Sequence, residues 1–370
     1  MARRSFAIVK ARLVLVCFVA TCALWYLLPN PGSAEETAIP SYPAANPGKA
    51  TILFGGDTHF QWGIEELIEK EDALAPVREM QRTFEKADFR ILNVETAITD
   101  KGEPASGRSH IFRASPGSIK TLTPLKLNLA ILANNHAMDM GPEGLEDTRQ
   151  NLRKAGILTA GVGANAKEAS LPVLFRIGDI RFAVVAASAI GDERMWADDK
   201  TPGIAKPEQI LAQIQAARTL ADHVIVSLHW GMEYNPYPMP DQRPLAQQFI
   251  QAGASAVIGH HPHVAQGIET SKNTVICYSL GNFLSGSSNP FQTDNMIVLM
   301  EFEAKKPGVR GLRVIPITGH YRESGHAPRP LHTTELHSFF PDLWTQSTKI
   351  NPSMSSRIIE EEDGIRINVD

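Results

Sequence analysis

The chain has 370 residues, 43% hydrophobic and 21% charged, a globular composition long enough for a sizeable core. Its formal net charge is −4 and it carries no basic tract to neutralise phosphates, which argues against non-specific nucleic-acid binding. An anionic substrate would have to be drawn in locally, by metal ions or a few arginines.

Residues 1–34 read as a targeting segment. Arg3, Arg4, Lys10 and Arg12 form a basic start, Leu13–Leu28 is an uncharged apolar run, and Pro29 and Pro31 break it before Gly32-Ser33-Ala34. The run is 16 residues long, short of the roughly 20 that span a bilayer comfortably. A cleaved signal peptide is the first reading and an N-terminal anchor through 13–28 the second; both make the protein exported, with its body periplasmic or otherwise extracytoplasmic. Cleavage would remove four positive charges and take the formal charge from −4 to −8. Of three cysteines, Cys17 and Cys22 lie in the apolar run, so Cys277 has no intrachain partner in the body and reads as buried strand filler.

Residues 35–49, rich in Pro, Ala and Asn, read as a linker. The body opens with the short apolar run Ala50–Phe54, which ends at Gly55-Gly56 and delivers Asp57-Thr58-His59. An aspartate there serves either as a helix N-cap or as a ligand, and the next helical pattern starts only at Ala75–Ala87, which favours the ligand. Phe89–Leu92 is a second buried-type run, ending in Asn93-Val94-Glu95, with the two polar side chains on one side of the strand. After a loop containing Phe112-Arg113, a helix-like segment runs to about Lys126. The apolar stretch 128–133 then delivers Asn134-Asn135-His136 and Asp139. Pro142–Ala155 has helical periodicity and stops at Gly156. Leu171–Ile177 and Ile180–Ala187 flank a Gly178-Asp179 turn and read as a hairpin. Lys206–Leu220 is a helix, His223–Leu228 a strand ending at His229-Trp230, and Asp241–Ala252 another helix. Val257-Ile258-Gly259 then yields His260-His261-Pro262-His263, in which Pro262 helps fix two imidazoles in a set geometry. Thr274–Leu280 leads to Gly281-Asn282, and Asp294–Glu303 with Gly311–Ile317 make a closing antiparallel pair. Residues 323–370 read as a polar, proline-dotted extension.

Five strand ends thus present ligand-type residues: Asp57 with His59, Asn93 with Glu95, Asn135 with His136, His229, and His261 with His263. In α/β sheets ligands gather outside the carboxyl ends of strands, so the recurrence at one topological position carries the inference. Carboxylates, an amide oxygen and several imidazoles suit two borderline divalent ions such as Mn²⁺, Zn²⁺ or Fe²⁺. Such a pair can clamp the attacking and leaving oxygens of a phosphoryl displacement and acidify water near neutral pH.

The series Gly56-Asp57, Asn93-x-Glu95, Asn134-Asn135-His136-x-x-Asp139-x-Gly141, His229-Trp230-Gly231-x-Glu233-Tyr234, Gly259-x-His261-Pro262-His263 and Ser279-Leu280-Gly281-Asn282-Phe283 resembles the CapA-type capsule biosynthesis family. That family is associated with poly-γ-glutamate synthesis and belongs to the calcineurin-like metallophosphatase superfamily. The resemblance, over roughly 50–322, implies a four-layer α/β/β/α sandwich. It makes Asp57, His59 and His263 ligands of one metal and Asn135, His229 and His261 ligands of the other. Glu95 stands in the bridging position, where the pattern has an aspartate one methylene shorter. His136 becomes the general acid, oriented by Asp139. Asn93, Glu233, Tyr234 and Asn282 become substrate-binding or supporting residues. Read from the residues alone, Arg113 is either a binder of an anionic substrate or an exposed loop arginine, Trp230 is packing, and His260 either bonds a neighbouring ligand or faces solvent. The implied role is making or exporting an anionic envelope polymer, with a phosphoester substrate, membrane-bound synthesis and export proteins as partners, and membrane association through the N-terminus. Two other readings are a non-catalytic polymer-binding or assembly component and a metal-dependent amide hydrolase or transferase acting on polyglutamate.

Overall fold

Alternation along the first strand of the body sets the layering. In Lys49–Thr58, Ile52 and Phe54 join a buried cluster with Ile91, Phe175, Phe182, Ile225 and Ile258, whereas Leu53 joins Leu92, Phe84, Leu122 and Leu145. The first group fills the space between two sheets, and the second packs one sheet against helices. The other sheet repeats the pattern, since Val185 and Val226 pack on Ile210, Ile214 and Phe249 of a second helical layer. The result is the expected four-layer α/β/β/α sandwich. The structure, a computed structural model, describes residues 39–320 and 324–369. Residues 1–34, on which the expected targeting segment with Cys17 and Cys22 falls, and residues 35–38 of the expected linker lie outside the described residues.

One sheet has nine strands, in the order Ile358–Glu361, Gly364–Ile367, Gly311–Ile317, Asn295–Glu303, Lys49–Thr58, Phe89–Val94, Leu129–Ile131 and Leu158–Ala160, with Asn282–Leu284 also paired to Lys49–Thr58. The other has seven, in the order Ser41–Tyr42, Val173–Ile177, Ile180–Ser188, His223–His229, Ala256–His260, Thr274–Cys277 and Ile268–Ser271. Lys49–Thr58, Phe89–Val94, Leu129–Ile131 and Leu158–Ala160 run parallel, as do Ile180–Ser188, His223–His229 and Ala256–His260. Parallel strands need crossover helices and are covered on both faces, so their sequences read as continuous apolar runs. Their carboxyl ends collect along one edge of the sandwich.

Two local features aim that edge. The register between Lys49–Thr58 and Phe89–Val94 shifts between Gly55 and Asp57, a bulge that re-aims the aspartate. At Gly56 a Cβ would lie 1.8 Å from the Gly281 carbonyl oxygen, which accepts a 2.9 Å hydrogen bond from the Asp57 amide. Only glycine allows the Asn282–Leu284 strand to approach so closely.

The closing antiparallel pair forms with Asn295 opposite Ile317. Beyond it, the polar composition conceals structure. Helix Thr333–Ile350 buries Leu336, Phe339 and Leu343, one stripe at helical spacing, in the cluster between the sheets. The hairpin Ile358–Glu361 and Gly364–Ile367 then extends the nine-stranded sheet beside Gly311–Ile317. Among the described residues no helix is long and apolar enough to cross a membrane. Cys277 is buried in the same cluster, and burial pushes its thiol pKa up, as a filler residue requires.

One buried group away from the strand ends makes folding pH-dependent. The His223 ring lies 4.8 Å from Phe302 and 5.4 Å from Phe182. Burial pulls its pKa down to about 4, against the opposing attraction of Asp222. An unfolded chain takes up this proton near pH 6.5, whereas the folded chain resists it until about pH 4, so stability is lost as pH falls through that window, by about 3 kcal/mol in all. His223→Phe is therefore expected to flatten the fall of Tm between pH 7 and 4.5. A decline as steep as that of the parent protein would count against this account.

Candidate metal centre

The carboxyl ends of the strands in both sheets meet, and the side chains they deliver are buried. Asp57 Oδ1 accepts a 2.7 Å hydrogen bond from Asn93 Nδ2, and Asp57 Oδ2 accepts a 3.0 Å bond from the His261 amide. His260 Nδ1 lies 3.4 Å from Asp57 Oδ1, and His263 Nδ1 3.3 Å from Asp57 Oδ2. Glu95 Oε1 is 3.3 Å from His229 Nε2, and Oε2 is 4.0 Å from His263 Nδ1. Asn135 Oδ1 is 2.7 Å from His229 Nε2.

Ligand-type atoms fall into compact sets. Asp57, Glu95 and His263 form one, Glu95, His229 and His261 a second, and Glu233, His261 and His263 a third, each with its atoms within 4.8 Å of one another. Glu95 belongs to both of the first two sets, the position of a carboxylate shared by two ions. His261 and His263 adopt left-handed backbone with φ of 96° and 59°, as does Tyr234 with φ of 57°. For non-glycine residues such backbone costs about 1–3 kcal/mol each and persists only where the surroundings enforce it. Pro262 sits between the two histidines, and its carbonyl accepts a 2.8 Å hydrogen bond from the Tyr234 amide, which ties the two loops together.

The electrostatics fit a cation. Neither oxygen of Glu95 has a hydrogen-bond partner although the side chain is buried. Burial, and then the Asp57 charge, push its pKa well above the carboxylate range. For Asp57, burial opposes ionisation, but His260 and His263 outweigh it and hold the pKa well below the usual value. Burial pulls His261 down to about 3, with His263 adding to the effect. Burial, and then His261, also hold His229 well below the usual imidazole range, which leaves both rings neutral and fit to ligate. His263 goes the other way: burial opposes its charge, yet Glu95 and Asp57 lift it to about 10. Two adjacent buried carboxylates demand positive charge, and a donor set of carboxylates, imidazoles and an amide oxygen suits borderline divalent ions.

A second group lies alongside. His136 Nδ1 is 2.7 Å from Asp139 Oδ2, which also accepts a 2.6 Å hydrogen bond from the Phe112 amide. The His136 ring stacks on Phe112 with centroids 3.8 Å apart. Arg108 completes the clamp, its Nε 3.3 Å from Asp139 Oδ1 and its Nη1 donating to the Asn135 carbonyl at 2.6 Å.

The remaining candidates fall into distinct places. His59 Nε2 is 2.9 Å from Ser285 Oγ, its ring packs edge-on to Trp62, and it belongs to none of the three sets. Burial pulls its pKa to about 3, helped by His263 and His136, so it shares their neighbourhood. Arg113 is not brought in: its guanidinium serves the Thr99 carbonyl at 2.9 Å and Asp100 at 3.4 Å, while Arg108 reaches the site. Asn282 Oδ1 lies 3.0 Å from His263 Nδ1, and the Tyr234 ring is 5.9 Å from that of His263. His260 is buried against Asp57 rather than solvent-facing, and Trp230 is packing, its Nε1 donating to the Tyr278 carbonyl at 2.8 Å. Sequence reasoning missed Arg108, which sits in a polar loop without periodicity. It also missed the tether role of Asn134, whose Nδ2 donates to Asn93 Oδ1 at 3.1 Å and to the Val94 carbonyl at 2.9 Å. Asn134 lies within the Asn-Asn-His motif, so a signal for it existed.

Two stacked sheets between helical layers, with clustered carboxylates and imidazoles at the strand ends, define a fold of the calcineurin-like metallophosphoesterase type. The chain belongs to the bacterial capsule synthesis protein family PGA_cap, whose model matches residues 51–287. It is 30% identical over 293 residues to the PGA biosynthesis protein CapA of Bacillus subtilis, covering 78% of this chain and 76% of the relative. It is 28% identical over 278 residues to the capsule biosynthesis protein CapA of Bacillus anthracis, covering 73% and 67%. A probable polyglutamine synthesis accessory protein of Mycobacterium tuberculosis is 28% identical over 326 residues, covering 74% and 86%.

Proposed function

We propose that this protein is an exported, metal-dependent phosphoester hydrolase that serves the synthesis or export of capsular poly-γ-glutamate or a related envelope polymer. The observation that carries the chemistry is Glu95, a buried carboxylate without hydrogen-bond partners that belongs to two adjoining ligand sets. The capsule-related names of the relatives support the biological setting, which implies membrane-bound synthesis or export proteins as partners.

Two divalent ions of the Mn²⁺, Zn²⁺ or Fe²⁺ class would supply Lewis acidity and lower the proton affinity of water. Asp57 and His263 would hold one, with His59 beside them, and Asn135, His229 and His261 the other, with Glu95 between. Asn93 fixes the Asp57 carboxylate, and Asn134 fixes Asn93. Asp139 holds the Nδ1 side of His136, which leaves Nε2 to deliver a proton to the departing alkoxide.

The test is elemental analysis of the purified full chain paired with hydrolysis of bis(4-nitrophenyl) phosphate. His261→Ala is expected to lose one metal equivalent and to cut turnover by at least about 10²-fold. Unchanged metal content in the variant, or a parent protein that holds metal yet ignores phosphodiesters, would overturn the reading.

A further inference from the structure

A cavity of about 480 Å³ opens next to the metal centre. None of the centre's ligand-type side chains lines it; its link to the centre is Val264, which follows His263 in the chain, and Tyr234, whose ring lies 5.9 Å from the His263 imidazole. Its volume falls in the roughly 300–1,000 Å³ range of small-molecule sites.

The lining selects a ligand class. Tyr234, Tyr237 and Phe291 supply aromatic surface; the Phe291 ring lies 6.3 Å from that of Tyr234 and is 69% exposed, so the two present a continuous aromatic face. Asp294, Asp342 and Gln346 supply acceptors and an amide. Two carboxylates, set against the single imidazole of His320 in the same lining, disfavour an anion. A cation is disfavoured as well, because the Tyr237 ring already carries the Lys349 ammonium, 4.3 Å from its centroid and hydrogen-bonded to Tyr237 Oη at 2.6 Å. A neutral group with hydroxyls for the acids and C–H faces for the rings satisfies both constraints.

We propose that this cavity binds a sugar ring, and, resting on the hydrolase reading, that the sugar is the organic part of the phosphoester substrate. Tyr234 then joins the two halves of the site, since it borders the cavity and packs beside a metal-ligating histidine.

The test reads binding without turnover. The full chain, loaded with Zn²⁺, is titrated with the methyl glycosides of glucose, galactose, mannose and N-acetylglucosamine, followed by saturation-transfer NMR. Saturable binding of at least one glycoside is expected. Asp342→Ala and Phe291→Ala, two exposed positions whose folding is checked by Tm, are expected to weaken it about tenfold. No saturable binding by any of the four, or binding untouched by both variants, would overturn the sugar site. A parent protein that binds a glycoside and hydrolyses no phosphodiester would remove the hydrolase reading and leave the sugar site standing.

Discussion

Replacing His136 with asparagine is expected to leave the metal content unchanged and to cut turnover about 10²–10⁴-fold on phosphodiesters with poor leaving groups. On 4-nitrophenyl esters, whose leaving group departs without a proton, the loss should be far smaller. The contrast follows from the geometry, because His136 is held through Nδ1 by Asp139 and stacked on Phe112, and belongs to none of the three ligand sets. Asp139 is fixed in turn by the Phe112 amide and Arg108, so the ring is held from behind while its other nitrogen stays available. Arg108→Ala should show a weaker version of the same leaving-group dependence, since it loosens the dyad without removing it. Equal losses on good and poor leaving groups would eliminate the general-acid role.

Glu95→Gln is expected to change stability in opposite directions with and without metal. In chelator-treated protein the glutamate is a buried acid with no hydrogen-bond partner, and burial and Asp57 outweigh the attraction of His263, so a neutral side chain of the same size should raise Tm. With divalent metal restored the order should reverse, because the parent binds tightly and the variant loses at least about 10²-fold in affinity. Turnover should fall with occupancy. A variant less stable than the parent in both conditions would show that Glu95 serves packing rather than a cation.

The sequence made the layers and the site legible to different depths. The strands that deliver Asp57, Glu95, His229 and His261 were readable because parallel strands covered on both faces are written as largely apolar runs, and those before Asp57 and His261 are stopped by glycine. The site was readable because its members follow those runs directly. Arg108 was not, since a loop arginine acquires meaning only from what the fold brings to it, here Asp139 and the Asn135 carbonyl. Arg113, equally plausible on paper, turns to Thr99 and Asp100. The tail was the other blind spot. Helix Thr333–Ile350 has a single buried stripe among polar residues and an internal proline, so its average composition hides an element that seals the space between the sheets.

That helix gives the chain a division of labour. The groups suited to hold metal and move a proton come from strand ends between Asp57 and His263, inside the stretch shared with the family, whereas Asp342 and Gln346 reach the neighbouring cavity from beyond residue 287. The cavity therefore has a shared wall, with Tyr234, Tyr237 and Val264 inside that stretch, and a second wall supplied from outside it. Substitutions on the cavity-facing positions of one helix, Asp342 and Gln346, would alter that wall without touching the side chains at the strand ends.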